Sequence, residues 1–325
     1  MQVSMVPVQW LSRQENEGKR MTEKNILEEL HRVISLGRVL DMEPMSRHTT
    51  FRVGGAAEYF VEPANLEEVR GVLQLSQAYG LPVFVLGNGS NLLVRDGGIR
   101  GIVLHLGKLF QKISVQGTEV TAQAGALLST VAATALSNSL TGLEFAAGIP
   151  GSMGGALRMN AGAYGGEMKQ VVTSADCLTR QGDLVTLSVE ELKLGYRHSL
   201  LTESDLLVVS VSMKLAKGNR QQIQETMQDL AARRLEKQPL EFPSAGSTFK
   251  RPEGYFAGKL IMDAGLAGKR VGDAVVSPKH CGFVVNAGKA KAREIEELVA
   301  EVQREVWQQF QVRLEPEIIM VGEEA

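Results

Sequence analysis

Gly148-Ile149-Pro150-Gly151-Ser152-Met153-Gly154-Gly155, continuing to Asn160-Ala161-Gly162-Ala163-Tyr164-Gly165-Gly166, holds seven glycines in nineteen residues. Such density in an otherwise apolar stretch means main chain pressed close to something, because only a residue without Cβ allows that approach. The neighbour is either another strand, since glycine also marks bulges and crowded crossings, or a ligand. A second loop, Gly87-Asn88-Gly89-Ser90-Asn91-Leu92, follows the apolar run Val83–Leu86 and can offer backbone amides to a phosphate. It is not a Rossmann fingerprint: Leu92 stands where the third glycine belongs, and Val94-Arg95-Asp96-Gly97-Gly98 cannot open a helix. An ordinary tight turn is its plain alternative; two such loops in one domain favour a large flat cofactor.

Around these loops the pattern is α+β. Ile26, Leu27, Leu30, Val33 and Ile34 recur at helical spacing until Gly37, after a polar leader without periodicity. Asn65 and Glu68 form a weak capping box ahead of Leu66, Val69, Val72 and Leu73, and that helix ends at Gly80. Strands are predicted at 82–86, 101–106 and 119–124, a helix at 127–139, and short strands onward through 215. Near 218 the character changes to a surface helix carrying Ile223, Met227 and Leu230, then a loop broken by Pro239, Pro243 and Gly246. Ile295, Leu298, Val299, Val302, Val306 and Phe310 trace the stripe of a last helix before a strand-like run over 312–321.

At 325 residues and 44% hydrophobic content, two or three cores are expected. A net charge of -2 leaves no general basic field for nucleic acid or an anionic membrane, so an anionic ligand must be held by local groups. The 2 cysteines, Cys177 and Cys281, are too few for a disulfide framework or a four-ligand zinc site and suit a reducing cytoplasm. No secretion signal and no apolar run of membrane-spanning length are evident.

The polar candidates each have a plain alternative. In Gly195-Tyr196-Arg197-His198-Ser199 a guanidinium beside an aromatic can grip a carboxylate or phosphate, or be a solvated charge. Ser244-Ala245-Gly246-Ser247-Thr248-Phe249-Lys250 presents hydroxyls and a lysine between Pro243 and Pro252, or is an ordinary loop. Glu315 and Glu317 share one face of an extended run around Pro316. His31, His48, His105, His198 and His280 show no metal-binding spacing and read as structural or solvated; no metal is expected. Lys269, Arg270, Lys279 and Lys289 lie near glycine turns and can neutralise a diphosphate, although scattered bases usually solubilise.

In the order of Thr49-Thr50-Phe51-Arg52-Val53-Gly54-Gly55, 86–93, 144–166, 195–199, 245–250, Val271-Gly272-Asp273 and Leu314-Glu315-Pro316-Glu317, the chain resembles the UDP-N-acetylenolpyruvoylglucosamine reductases over residues 26–322. The two glycine loops are shared in outline with flavoproteins of the vanillyl-alcohol-oxidase type, whereas Arg197, Ser247 and the Leu-Glu-Pro-Glu ending are specific to the reductases. About 50 residues separate Arg197 from Ser247, which resembles the shorter class without the inserted tyrosine loop. Two departures stand out: Thr49 where the family usually has Asn, and Arg251 where many relatives carry Asn.

The resemblance implies a loose leader over 1–25, an FAD-binding domain in two α+β lobes at 26–106 and 107–217, and an α+β substrate-binding domain at 218–325. It implies non-covalent FAD held by Gly87, Asn88, Gly89, Ser90, Asn91, Leu92, Gly148, Ile149, Gly151, Ser152, Gly154, Gly155, Asn160 and Gly162. NADPH is the implied reductant, and the substrate is a UDP-sugar enolpyruvyl ether of peptidoglycan precursor synthesis, in a cytoplasmic monomer. Arg197 would polarise the substrate carboxylate, Glu317 would assist it, and Ser247 would deliver a proton to the carbon beside the carboxylate. Tyr196, Lys250 and Lys269 are candidate diphosphate contacts from charge and position. The competing expectation is an alcohol or sugar oxidase on the same FAD domain, with His48 the conceivable site of a covalent flavin link.

Overall fold

Where the helices start and stop follows from local chemistry. In the computed structural model, which describes residues 23–325, α1 spans Glu23–Val33 and α2 spans Leu66–Tyr79. Asn65 caps α2 by accepting the Glu68 N–H at 2.9 Å, and Gly80 ends it in the left-handed region at φ 64, which only glycine enters without steric cost. The box is only half closed. The Glu68 carboxylate, 3% exposed, accepts instead from the N–H groups of Ser35, Leu36 and Ala64, stapling the exit of α1 to the entry of α2. The leader expected over 1–25 lies outside the described residues as far as residue 22.

Contacts divide the chain into two compact units. The first comprises the described residues through Met42, Glu58–Asn88 and Gly101–Ala232; the second comprises Glu43–Ala57, Gly89–Arg100 and Arg233–Ala325. The contiguous boundaries read from the sequence thus meet a division that is discontinuous. The physical reason is long-range pairing: Leu92–Val94 runs parallel to Ile319–Val321, in register Leu92 to Ile319, and Gly98 bridges Glu323.

The first unit is built on two sheets. One runs in the order Arg38–Pro44, Ala56–Glu62, Ile99–His105, Val83–Leu86, with the last two parallel, Leu86 opposite His105. The other is antiparallel, in the order Leu184–Ser188, Val172–Leu178, Leu207–Lys214, Glu119–Gln123, Ile113–Gln116. Its central strands bury alternate residues such as Val120, Ala122, Val211 and Met213 against α3, Leu128–Ser137, and α4, Met153–Arg158. Helix α5, Arg220–Lys237, buries only Ile223, as the sparse apolar spacing predicts.

In the second unit α6, Ala257–Asp263, and α7, Ala292–Phe310, pack on the small sheet Arg270–Val271, Ala274–Val276, Val284–Asn286. The α7 stripe is buried as read, from Ile295 through Val306, except that Phe310 is exposed at the helix end. The strand-like run over 312–321 shrinks to Ile319–Val321 plus one bridge, Phe249–Pro316, and Pro316 has no N–H to offer a further strand on its other edge.

An ion cluster centred on a buried carboxylate ties the first sheet together. Glu62, 7% exposed, accepts from His105 Nδ1 at 2.8 Å and from Arg38 Nε at 2.6 Å, which gives His105 the structural role read from its apolar strand. The His105 hydrogen bond outweighs burial, which acts the other way, and with Arg38 it holds the Glu62 carboxyl at about 2 against an ordinary 4.5. A depressed carboxyl stabilises the fold in full above its unfolded value and loses that contribution as the pH falls through the folded one. Glu62→Gln should therefore cost about 3 kcal/mol at pH 7. Urea unfolding should show the gap between the two proteins narrowing steadily below pH 4.5; a gap that is constant with pH would contradict this account.

Candidate active site

In the first unit the two glycine loops meet. A Cβ at Gly87 would stand 2.2 Å from Ser152 Oγ, so the main chain there is in direct contact with the buried serine. Asn88 Nδ2 donates to Pro150 O at 2.6 Å, closing the same contact from the next residue. Not every glycine waits for a ligand. Gly154 packs on Ala124, its N–H on Ala124 O at 2.8 Å; Gly151 O accepts from Leu128 at 2.9 Å; and a Cβ at Gly162 would lie 2.7 Å from Gly166 O. Ile149 turns back onto Ala146 O at 3.1 Å. These are the crowded chain crossings anticipated as the alternative, and they account for part of the glycine density.

The remaining backbone is open. Gly148, Pro150 and Gly155 are exposed, and a Cβ at Gly155 would meet only Ser152 Oγ, at 3.5 Å. A surface of bare main chain beside a buried hydroxyl fits the flat, phosphate-bearing group that the loops suggest, so Gly87, Asn88, Ser152, Gly148 and Gly155 are the residues of this unit suited to hold FAD. Asn160 offers less than the sequence promised. It sits at φ 40, its Oδ1 accepts from Lys169 at 2.9 Å, and its Nδ2 donates to Glu167 at 3.0 Å and to Gly195 O at 3.1 Å. Its side chain is used within the protein, leaving only main chain for a cofactor.

Gly195 leads directly to Arg197. Gly195 and His198 exchange backbone hydrogen bonds at 3.0 and 3.3 Å, making Tyr196 and Arg197 the two central residues of a tight turn. Arg197 stands at φ 52, a position where glycine is preferred, and its guanidinium lies over the Tyr196 ring, 5.3 Å from the centroid. Tyr196 itself is 61% exposed.

The second unit collects the other candidates. Lys250 N–H donates to Glu315 O and Glu317 N–H to Thr248 O, both at 2.8 Å, so 248–250 pairs antiparallel with 315–317 around the bridge Phe249–Pro316. Pro316 occupies the one place in this ladder from which no N–H is required. Ser247, half-buried, follows Gly246 at φ 76 and immediately precedes Thr248, whose carbonyl accepts from Glu317 N–H. Lys250 Nζ is 3.3 Å from Glu315 Oε2, which assigns a partner to the other glutamate of the motif. Lys269 is paired with Glu301 at 2.8 Å and would reach a diphosphate only by leaving that carboxylate.

The second half of the first glycine loop belongs to this unit too. Asn91 Nδ2 donates to Glu317 O at 3.0 Å, Asn91 O accepts from Ile319 at 2.9 Å, and Leu92 begins the strand paired with Ile319. Gly89, at φ 59, lies so close to His48 that a Cβ would be 2.0 Å from its carbonyl oxygen, and Ser90 connects the two. Sequence reading missed Arg158, which donates to Leu201 O and whose own carbonyl accepts from Ser199 Oγ at 2.7 Å. A signal existed, for Arg158 is the lone charge between Glu144 and Glu167.

The chain is similar to known proteins over most of its length. Residues 56–188 match the profile of an FAD binding domain, and residues 238–321 match that of the UDP-N-acetylenolpyruvoylglucosamine reductase C-terminal domain. The chain is 52% identical over 312 residues to the UDP-N-acetylenolpyruvoylglucosamine reductase of Agathobacter rectalis, covering 92% of this chain and 98% of that protein. The enzyme of the same name from Clostridium novyi is 53% identical over 281 residues, covering 86% and 91%. The crystal structure of the reductase from Thermus caldophilus superposes with a TM-score of 0.77 at 36% identity, over 88% of this chain and 100% of that one. The chain belongs to the UDP-N-acetylenolpyruvoylglucosamine reductase family.

Proposed function

We propose that this protein reduces the enol ether of a UDP-N-acetylglucosamine enolpyruvyl substrate to the lactyl ether of UDP-N-acetylmuramate, a step of peptidoglycan precursor synthesis, with NADPH as electron source. The observation that carries the reading is the ladder that ties Thr248, the residue after Ser247, to Glu317, and so brings together the two segments on which the reductase-specific motifs centre. When bound, FAD supplies the hydride chemistry, accepting from NADPH and giving to the terminal vinyl carbon. Everything else falls to the chain's own side chains.

Hydride addition places electron density on the carbon beside the carboxylate, which calls for a cation at the carboxylate and a proton for that carbon. Arg197 supplies the cation, in a planar fork suited to two carboxylate oxygens. Ser247 delivers the proton from Oγ; its ordinary pKa is high, but the enolate is strongly basic and a positioned hydroxyl can donate to it and recover a proton from water. Glu317 orients the charged arrangement from a backbone fixed at both its N–H and its carbonyl. Tyr196 and Lys250 are assigned to the diphosphate, and Lys269 as a longer-range contact. The named residues come from one chain, so a monomer suffices, and two buried free cysteines suit the reducing cytoplasm. Among the described residues no helix is long and apolar enough to cross a membrane.

The oxidase alternative loses its support with the family assignment, and its covalent candidate His48 is hydrogen-bonded to Glu43 at 2.9 Å. Acid precipitation should release the yellow colour into the supernatant.

Two mutations test the assigned roles. Ser247→Ala should leave bleaching by NADPH within about twofold and slow reoxidation by the enolpyruvyl nucleotide by about a hundredfold or more; equal loss in both half-reactions would contradict it. At Arg197 the left-handed backbone separates strain from chemistry. Arg197→Gly should be more stable than Arg197→Ala by about 1 kcal/mol in urea unfolding, while both lose reoxidation alike.

A further inference from the structure

The turn that carries Arg197 is held in a conformation its own residues do not favour. A non-glycine residue at φ 52 costs about 1 kcal/mol or more and persists only where surrounding contacts over-determine it. Those contacts come from one short stretch. On the near side of the turn, Asn160 Nδ2 donates to Gly195 O at 3.1 Å. On the far side, Ser199 Oγ, fully buried, donates to Arg158 O at 2.7 Å, and the Arg158 guanidinium donates to Leu201 O. Residues 158 and 160 therefore grip the chain before and after Tyr196-Arg197.

Arg158 is an unusual choice for a merely structural post. It ends the short helix α4 in a stretch with no other charge between Glu144 and Glu167, and no carboxylate is paired with it among the described residues. Its burial pushes the guanidinium pKa down, so keeping a cation there has a cost that a neutral side chain would avoid. What arginine adds is a charge-assisted bond to a carbonyl, stronger than a neutral one and directional. The opposite anchor, Leu200 N–H to Leu192 O at 2.8 Å, completes the hold on 199–201.

We propose that Arg158 is a positioning residue: with Ser199 and Asn160 it clamps the 195–201 segment and sets the orientation of Arg197 for the substrate carboxylate. The inference rests on the catalytic reading of Arg197 given above and adds a residue to it. A misplacement of about 1 Å at a charged contact can cost a hundredfold in rate, so the clamp is felt in the half-reaction that uses Arg197 and not in the other.

The test uses FAD-loaded Arg158→Met, which keeps the apolar stem, and Ser199→Ala, the milder cut at the same clamp. Both should take up FAD and be bleached by NADPH within about twofold of wild type, yet be reoxidised by saturating enolpyruvyl nucleotide about tenfold or more slowly. Amide hydrogen exchange over 195–201 should speed up in both, independently of turnover. In an Arg197→Lys background, adding Arg158→Met should change reoxidation by less than about twofold, because the group it positions is already gone. Wild-type reoxidation in both single variants, equal loss in both half-reactions, or full multiplication of the two effects in the double variant overturns the clamp. If Arg158→Met fails to fold, Ser199→Ala decides alone. Arg197→Lys with wild-type reoxidation would instead overturn the reading of Arg197, and the clamp with it; a slow Arg197→Lys beside fast clamp variants overturns only the clamp.

Discussion

Glu317 is held by its main chain from two directions, and the second unit is arranged around that hold. Its N–H is bound by Thr248 O and its carbonyl by the side-chain amide of Asn91, so neither end of the residue can shift without breaking a hydrogen bond. The first bond brings in the loop that carries Ser247; the second brings in the end of a glycine loop more than two hundred residues earlier, with Asn91 and Glu317 226 positions apart. Pro316 fits this pairing without disturbing it. In the antiparallel bridge with Phe249 the residue at 316 donates nothing, so a proline is admitted there, while its missing N–H leaves no donor for a further strand on the opposite edge. The result is a short junction whose backbone is hydrogen-bonded on both sides of the bridge.

The first unit solves the opposite problem, holding a residue in a conformation it would leave if free. Arg197 at φ 52 and Asn160 at φ 40 both lie in the left-handed region, and one is hydrogen-bonded to the turn that contains the other. Strain of this kind is sustained by the saturated polar groups around it, here the three bonds of the Asn160 amide and the paired bonds at Arg158 and Ser199. Glycine density in the same region divides by function. Gly154 and Gly162 let chains pass closely, Gly166 makes room for the Phe145 ring, Gly87 meets a buried serine, and Gly148 and Gly155 leave main chain open.

Electrostatics follows the same economy. With a net charge of -2 the chain has no general field to gather polyanions, so any anion must be held by local cations. Their availability differs in ways that composition hides. Lys269 is bound to Glu301, Lys250 is shared with Glu315, and Arg197 rests against an exposed tyrosine. Glu315 and Glu317 look equivalent in the sequence, yet the first neutralises a lysine and the second has its backbone clamped.

The sequence by itself determined what short-range rules control. Asn65 and Gly80 delimit α2 through bonds and dihedrals a few residues long, the 3.6-residue stripe of α7 marks its buried face, and motif order places the chain in its family. Tertiary structure alone decided which residues became partners: Phe249 with Pro316, Asn91 with Glu317, Lys269 with Glu301, Arg158 with Leu201. Periodicity shows that a segment can pair and leaves open with what, because hydrogen bonds and ion pairs between segments depend on distances in space that the spacing along the chain does not encode. For the same reason the division into units could not be read from composition, since the parallel pairing of Leu92–Val94 with Ile319–Val321 carries an early segment into the later unit.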